Sequence, residues 1–484
     1  MTTKVIDEKE SRAKMLGEGK IEKVLLTLAI PAIIGQIINA IYNIADTYFV
    51  GMLNDTAAIS SISVAFPIFM IITAIGQAFG VGSASYISRL LGQGKKTEAD
   101  RTASTTFFTA IFTGIISTII CLIFMERILK FSGASPTIMP YAVSYTRILL
   151  IGSVFTIVNM TLNNIIRAEG NAKYSMYAII IGAVLNIILD PLFILTFKMG
   201  VAGAAIATVI GQMVSTIYLI RYFTAKKSYV VIKRSLFTFS KEIYIEIFKI
   251  GIPTFCMQFL ISYSMSLLNS SAIKYGDAAV AALGITTRLN SFIIYVLFGF
   301  MQGFQPLVGY NYGAKKYDRV RNAIKTSTIW ATAYCLILTI ILAANAEFFV
   351  RLFSSDPEVI KIGVDNIIAI GLLRPILGFQ LIYTTLFQAL GKSKEAGFLS
   401  IARQGIFLIP AILFLPGIFE RHIDVLGVFT KILPNTLQPG MYGIVYTQFT
   451  ADFFTFIVTC IFAVSVKKSL KSSTRENENG AANM

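Results

Sequence analysis

Residues 24–50 read VLLTLAIPAIIGQIINAIYNIADTYFV. No lysine or arginine interrupts the run, its one acid is Asp46, and as a helix rising 1.5 Å per residue it exceeds the roughly 30 Å of a bilayer's hydrocarbon core. Comparable runs begin near residues 57, 103, 137, 174 and 200, then near 243, 278, 322, 358, 395 and 440. Twelve membrane-crossing helices are expected.

Composition agrees. Of the 484 residues 55% are hydrophobic and 14% charged, and the mean hydropathy is +0.70, whereas soluble domains carry about 25% charged residues. No mixed stretch between apolar runs is long enough for a separate soluble enzyme domain. The net charge of +16 does not point to nucleic acid, because the basic residues sit in short loops between the runs. Of 42 Lys and Arg, 28 fall on the N-terminal side of the spans, 7 on the opposite side and 7 in spans or at their ends. By the positive-inside rule both termini are expected in the cytoplasm of a bacterial inner membrane. The charged segment before span 1 is expected to stay uncleaved, since the run after it is too long for a signal-peptide core. Cys121, Cys256, Cys335 and Cys460 lie in apolar runs and are expected to form no disulfide.

The chain repeats. Pro31, Gln36 and Asp55 recur 222 positions on as Pro253, Gln258 and Asp277. Gln77 and Phe79 return as Gln302 and Phe304, Gly92 and Lys95 as Gly313 and Lys316, and Gly200 and Gly203 as Gly440 and Gly443. Each unit holds an even number of spans, so the units are parallel repeats, a design that binds substrate between its halves. The reading is an all-α polytopic membrane protein of two pseudo-symmetric six-helix bundles. Its parts are an N-terminal segment (1–23), a first lobe (24–222), a linker (223–242), a second lobe (243–466) and a tail (467–484). An extra outer loop is expected from Pro416 to Pro439, holding the only histidine, His422, as a solvated residue.

Catalytic signatures are absent. Gly391-Lys392-Ser393 has Leu386 where a phosphate-binding loop needs its first glycine, and one histidine supplies neither a zinc pair nor a hydrolytic triad. An enzyme is not expected.

Ionisable groups inside spans cost about 2.5 to 3.5 kcal/mol each on insertion scales, so those retained are functional candidates. Asp46, Asp190 and Asp452 qualify. Counting from the span ends, Asp46 and Asp190 lie roughly 6 and 10 Å below the outer face and Thr208 roughly 12 Å. Asn186 stands one turn before Asp190 on the same face, and Pro191 frees a backbone carbonyl one turn earlier. Two carboxylates, an amide and a hydroxyl suit Na⁺ or a proton, because neighbouring carboxylates in low dielectric need a cation between them or a shared proton. The matching positions of the second half include Leu268 and Gln448, so this candidate cation site belongs to the first half. Asn39, Asn43, Gln77, Asn159, Asn163, Gln258, Arg288 and Gln302 are candidates for lining a substrate cavity, the alternative being hydrogen bonds between helices.

Several segments carry a family likeness: Asp46-Thr47-Tyr48-Phe49-Val50-Gly51, Arg89-Leu90-Leu91-Gly92, Arg167-Ala168-Glu169-Gly170-Asn171, Asn186 with Asp190-Pro191, and Gln305-Pro306-Leu307-Val308-Gly309-Tyr310. Together they resemble the MATE (multidrug and toxic compound extrusion) family, in its MepA-like bacterial branch, from about residue 15 to about 467. The resemblance implies the MATE/MOP fold and drug antiport against Na⁺ or H⁺ by rocking of two lobes. It also implies a cation site at Asp46, Asn186, Asp190 and Thr208, and bending of span 1 at Pro31. Lipophilic, mostly cationic small molecules and membrane lipid are the implied partners, with no cofactor, nucleic acid or obligate protein partner. The acids that another branch carries in spans 7 and 10 are replaced here by Gln258, Ser262, Gln380 and Tyr383. The competing reading is a lipid-linked oligosaccharide flippase of the same superfamily.

Overall fold

The computed structural model describes residues 11–53, 55–422, 427–434 and 437–482. Twelve helices among them are long and apolar enough to cross a membrane, numbered here α1 (Ile21–Gly51), α2 (Thr56–Gly92), α3 (Lys96–Phe131), α4 (Met139–Ala168), α5 (Ala172–Thr196) and α6 (Gly200–Thr224), then α7 (Lys241–Tyr275), α8 (Asp277–Gly313), α9 (Tyr317–Ala344), α10 (Pro357–Leu390), α11 (Ser393–Arg421) and α12 (Thr447–Arg475). The chain is a multi-pass membrane protein.

Three boundaries differ from the sequence reading. Helix α3 starts at Lys96 rather than near 103, because a helix continues past its apolar stretch into polar surroundings where Glu98 and Lys96 remain solvated. The outer loop begins after His422 rather than at Pro416, which sits inside the helix; the His422 side chain lies outside the described residues. The last span begins at Thr447 rather than near 440, since Pro439–Val445 forms a separate short helix that ends at Tyr446.

The described residues divide into two compact units, the first formed by those within 1–255, 298–316 and 388–391 and the second by the others. In the first, α4 is central, packed against α2, α3 and α6, while α1 lies along α5 and α5 along α6. Helices lacking a side chain at the contact approach most closely in lipid. A Cβ on Gly211 would stand 2.7 Å from the Gly182 carbonyl oxygen, and one on Gly203 2.8 Å from the Phe193 carbonyl carbon. These contacts hold α6 against α5. The repeat is visible in reciprocal form: a Cβ on Gly92 would strike the Tyr310 carbonyl, and one on its counterpart Gly313 the Arg89 carbonyl.

The helix at 11–18 and the segment after α6 are tied to the α4–α5 corner by Glu169, which is 3% exposed. Glu169 accepts from Arg12 at 3.3 Å, Ser228 at 2.6 Å, the Tyr229 N–H at 2.7 Å and the Tyr222 hydroxyl. Burial lifts the Glu169 carboxyl above the ordinary carboxylate range, against the opposing pull of Arg12 and the hydroxyl donors.

In the second unit, the short helix Pro439–Val445 packs on α11, where a Cβ on Gly443 would stand 2.5 Å from Pro416. Gly443 therefore repeats the role of Gly203, each pressed against the helix before it.

Candidate functional site: a buried oxygen cluster in the first unit

Helix α5 runs through Pro191, and its last turn, Leu192–Thr196, is wound as a π-helix in which the Phe197 N–H donates to the Leu192 carbonyl at 2.9 Å. Single π turns are a common device for re-aiming side chains at functional sites. Just before it, Asn186 and Asp190 are 1% and 0% exposed. The Asn186 amide donates to Asp190 Oδ1 at 3.2 Å and to Thr208 Oγ1 at 3.3 Å, a reach made possible by the Gly182–Gly211 approach.

Asp46 arrives from α1, which lies along α5, and acts electrostatically on Asp190. The four residues singled out by sequence therefore converge. Two tyrosines join them. Tyr42, one turn before Asp46, stands near Thr208 and both carboxylates, and Tyr145 of α4 stands in the field of both carboxylates. The spacing from Tyr42 to Asp46 is a signal that sequence reading had available; for Tyr145, on a remote span, there was none.

Three buried oxygens here, Asp46 Oδ1, Asn186 Oδ1 and Asp190 Oδ2, receive no hydrogen bond. A buried acceptor without a donor costs about 1 to 3 kcal/mol, more when charged, so these three oxygens are open to a proton, a water or a cation. Hard oxygen ligands of this kind fit a small cation. Asp452 is the contrast. Its Oδ1 accepts from Arg403 Nε at 2.7 Å and Gln448 Nε2 at 3.1 Å, so a guanidinium tethered to the chain already neutralises it. Gln448, which matches Thr208 in the repeat, serves that ion pair. Asp365, a fully buried acid of α10 beside Asn366, which donates to Thr286 at 2.6 Å, was not singled out from sequence.

The cavity candidates separate. Asn159 donates to Ser215 at 2.8 Å and Thr216 at 3.3 Å, and Asn163 donates to Asn159 at 2.8 Å and accepts from Ser175 at 2.7 Å. These two amides are thereby engaged in a buried network inside the first unit, joining α4 to α5 and α6. Asn39 and Asn43 are exposed, Asn43 donating to the Asn39 carbonyl at 2.6 Å. Gln77 accepts from Asn164 at 3.4 Å, and Gln302 borders a small cavity with Asn164 and Arg167. In the second unit Gln258 is half-buried and Arg288 exposed.

Twelve apolar helices among the described residues, built from a sequence repeat and with acids buried in two of them, define a polytopic membrane protein. The MatE family model matches residues 31–192 and 253–413, opening each time on the proline pair Pro31 and Pro253, and the chain belongs to that family. It is 31% identical over 399 residues to the multidrug export protein MepA of Staphylococcus aureus (strain MSSA476), covering 82% of this chain and 88% of that one. With MepA of Staphylococcus haemolyticus (strain JCSC1435) the identity is 32% over 405 residues, covering 83% and 88%. A solved outward-facing structure of a multidrug resistance MATE family transporter of the MOP superfamily superposes with a TM-score of 0.85 at 26% identity, covering 95% of this chain and 98% of that chain.

Proposed function

We propose that this chain is a secondary active exporter of lipophilic, mostly cationic compounds, in which binding of Na⁺ or H⁺ at Asp46, Asn186, Asp190 and Thr208 drives alternating access. The observation that carries the coupling step is the set of three buried oxygens without donors. A cation neutralises Asp46 and Asp190 together and draws α1 toward α5; without it, like charges in low dielectric push the two helices apart. Binding thus changes the relative stability of two helix arrangements, as coupling requires. Thr208 presents its hydroxyl oxygen to the site beside Asn186.

The MepA relatives, both multidrug export proteins by name, support efflux of drugs. The flippase alternative is not favoured. The distribution of Lys and Arg supports placing both termini in the cytoplasm of the cell membrane, and the composition of the chain supports transport without catalysis. Expression in a drug-sensitive, efflux-deficient bacterium tests the reading: ethidium accumulation is expected to fall severalfold, and accumulation equal to the empty-vector strain overturns it.

A further inference from the structure

The segment joining the two repeats, residues 221–241, carries Arg221, Lys226, Lys227, Lys233, Arg234 and Lys241 and no acid. All six cations are exposed, and among the described residues none of them forms an ion pair. Acids of the elements packed against the segment are engaged elsewhere. Glu98 pairs with Lys95 at 3.5 Å, Asp100 with Lys96 at 2.7 Å, Glu169 with Arg12 at 3.3 Å and Glu246 with Arg89 at 2.7 Å. Glu242 is a single charge against six.

The segment is fixed in place rather than looped out. Its backbone runs along the start of α3, where the Val231 N–H donates to Asp100 Oδ1 at 2.8 Å, the Lys233 N–H to Ser104 Oγ at 3.1 Å and the Thr238 N–H to Thr105 Oγ1 at 3.2 Å. All three acceptors belong to buried residues. Beyond them the Phe237 ring meets Phe108 of α3, centroids 6.0 Å apart, and Phe239 lies 4.9 Å from Phe237. Phe108 stands five residues inside the apolar run that begins near 103. The segment therefore meets α3 at the level where lipid headgroups give way to acyl chains. Phe239 is 83% exposed there, and an open aromatic ring among cations is the make-up of an interfacial anchor.

We propose that this segment is a docking surface for anionic phospholipid headgroups, with Phe239 set among the acyl chains and Lys226, Lys227, Lys233 and Arg234 facing the phosphates. A phosphodiester supplies the negative charge that the protein does not. Because α3 already holds the backbone, the cations meet the headgroup layer without first being ordered, which lowers the cost of binding. Each Lys or Arg near an anionic surface is worth about a fivefold gain in affinity, and the attraction fades within a Debye length.

The test uses the full-length chain with its one tryptophan moved to the segment, Trp330→Phe with Phe239→Trp, in symmetric vesicles of equimolar phosphatidylcholine and phosphatidylglycerol. One lipid or the other carries brominated acyl chains, and tryptophan quenching reads which lipid lies beside residue 239. Symmetric vesicles make the result independent of which side of the membrane the segment faces. Quenching is expected to report about fivefold preference for phosphatidylglycerol, lost in 1 M salt and lost when Lys226, Lys227, Lys233 and Arg234 are all changed to Gln. All four side chains are exposed, so the fold is expected to survive their replacement. Glycerol phosphate added in solution, which shares the headgroup's chemistry, is expected to leave the preference unchanged. Equal quenching by both lipids, or a preference that survives the four substitutions, overturns the proposal. Loss of the preference to millimolar glycerol phosphate also overturns it, in favour of a soluble phosphate ligand.

Discussion

Asp190→Asn is the change that bears hardest on the coupling mechanism. The substitution keeps the shape of the side chain and its place beside Asn186, but removes one of the two charges that would hold a cation. At an effective dielectric constant near 20, two unit charges about 4 Å apart interact by roughly 4 kcal/mol, and 1.4 kcal/mol is a factor of ten in affinity. Cation affinity should therefore fall by about a thousandfold. In proteoliposomes, wild type is expected to extrude ethidium under either an imposed pH gradient or an imposed Na⁺ gradient, and the effective one names the ion. The variant is expected to show only the leak of empty liposomes. Binding can also be read without transport: a cation at a hundred times its Kd stabilises the folded protein by about 2.7 kcal/mol, so the coupling ion should raise the melting temperature of wild type and leave that of Asp190→Asn unmoved. Gradient-driven efflux of equal rate in both proteins, together with equal thermal shifts, would refute the argument that these carboxylates carry the ion.

Three further outcomes follow from the packing. Asp452→Asn should destabilise the protein by about 1 to 3 kcal/mol, the cost of leaving the part-buried Arg403 guanidinium without its counter-charge, while the thermal shift caused by the coupling ion persists; loss of that shift would place Asp452 in the coupling machinery instead. Gly92→Ala puts a Cβ against the Tyr310 carbonyl, which as backbone cannot swing aside, and should cost about 1 to 3 kcal/mol, visible as a lowered melting temperature. Glu169 gives a pH signature. Its carboxyl sits above the ordinary value of 4.5 in the folded protein through burial, so the fold binds that proton more tightly than the unfolded chain does. The associated stability is complete below about pH 4.5 and is lost as pH rises through the folded value. The melting temperature of wild type relative to Glu169→Gln should accordingly decline as pH increases over that window, and a difference that grows with pH would contradict it.

Asp46 and Asp190 stand out in the sequence because the cost of a carboxylate in hydrocarbon is local: an acid inside an apolar run is conspicuous whatever surrounds it. The same rule flagged Asp452, yet its partner Arg403 lies on another span, and nothing in either run announces the pairing. Asn159 and Asn163 were likewise visible as polar residues, while their engagement with Ser215, Thr216 and Ser175 depends on which faces of α4, α5 and α6 meet. Arg167 looked like one more loop cation at the end of a span. Only the packed structure reveals it as buried, with neutral partners and a cavity at its side.

The sequence by itself determined that the chain crosses a membrane twelve times, that it is built from a repeat, and that two acids of the first half lie inside apolar spans. Span length, the cost of buried charge and the recurrence of residues at fixed spacing are all properties of the linear chain. The tertiary structure decided the rest: that Tyr42 and Tyr145 join the acids, that Asp452 is neutralised by Arg403, and that a glycine approach between α5 and α6 brings Asn186 to Thr208. The reason is the solvent. In lipid, a helix face that meets hydrocarbon and one that meets another helix are equally apolar, so hydrophobic periodicity does not mark the inward side, and contacts between spans are settled by close packing and hydrogen bonds that appear only once the helices are assembled.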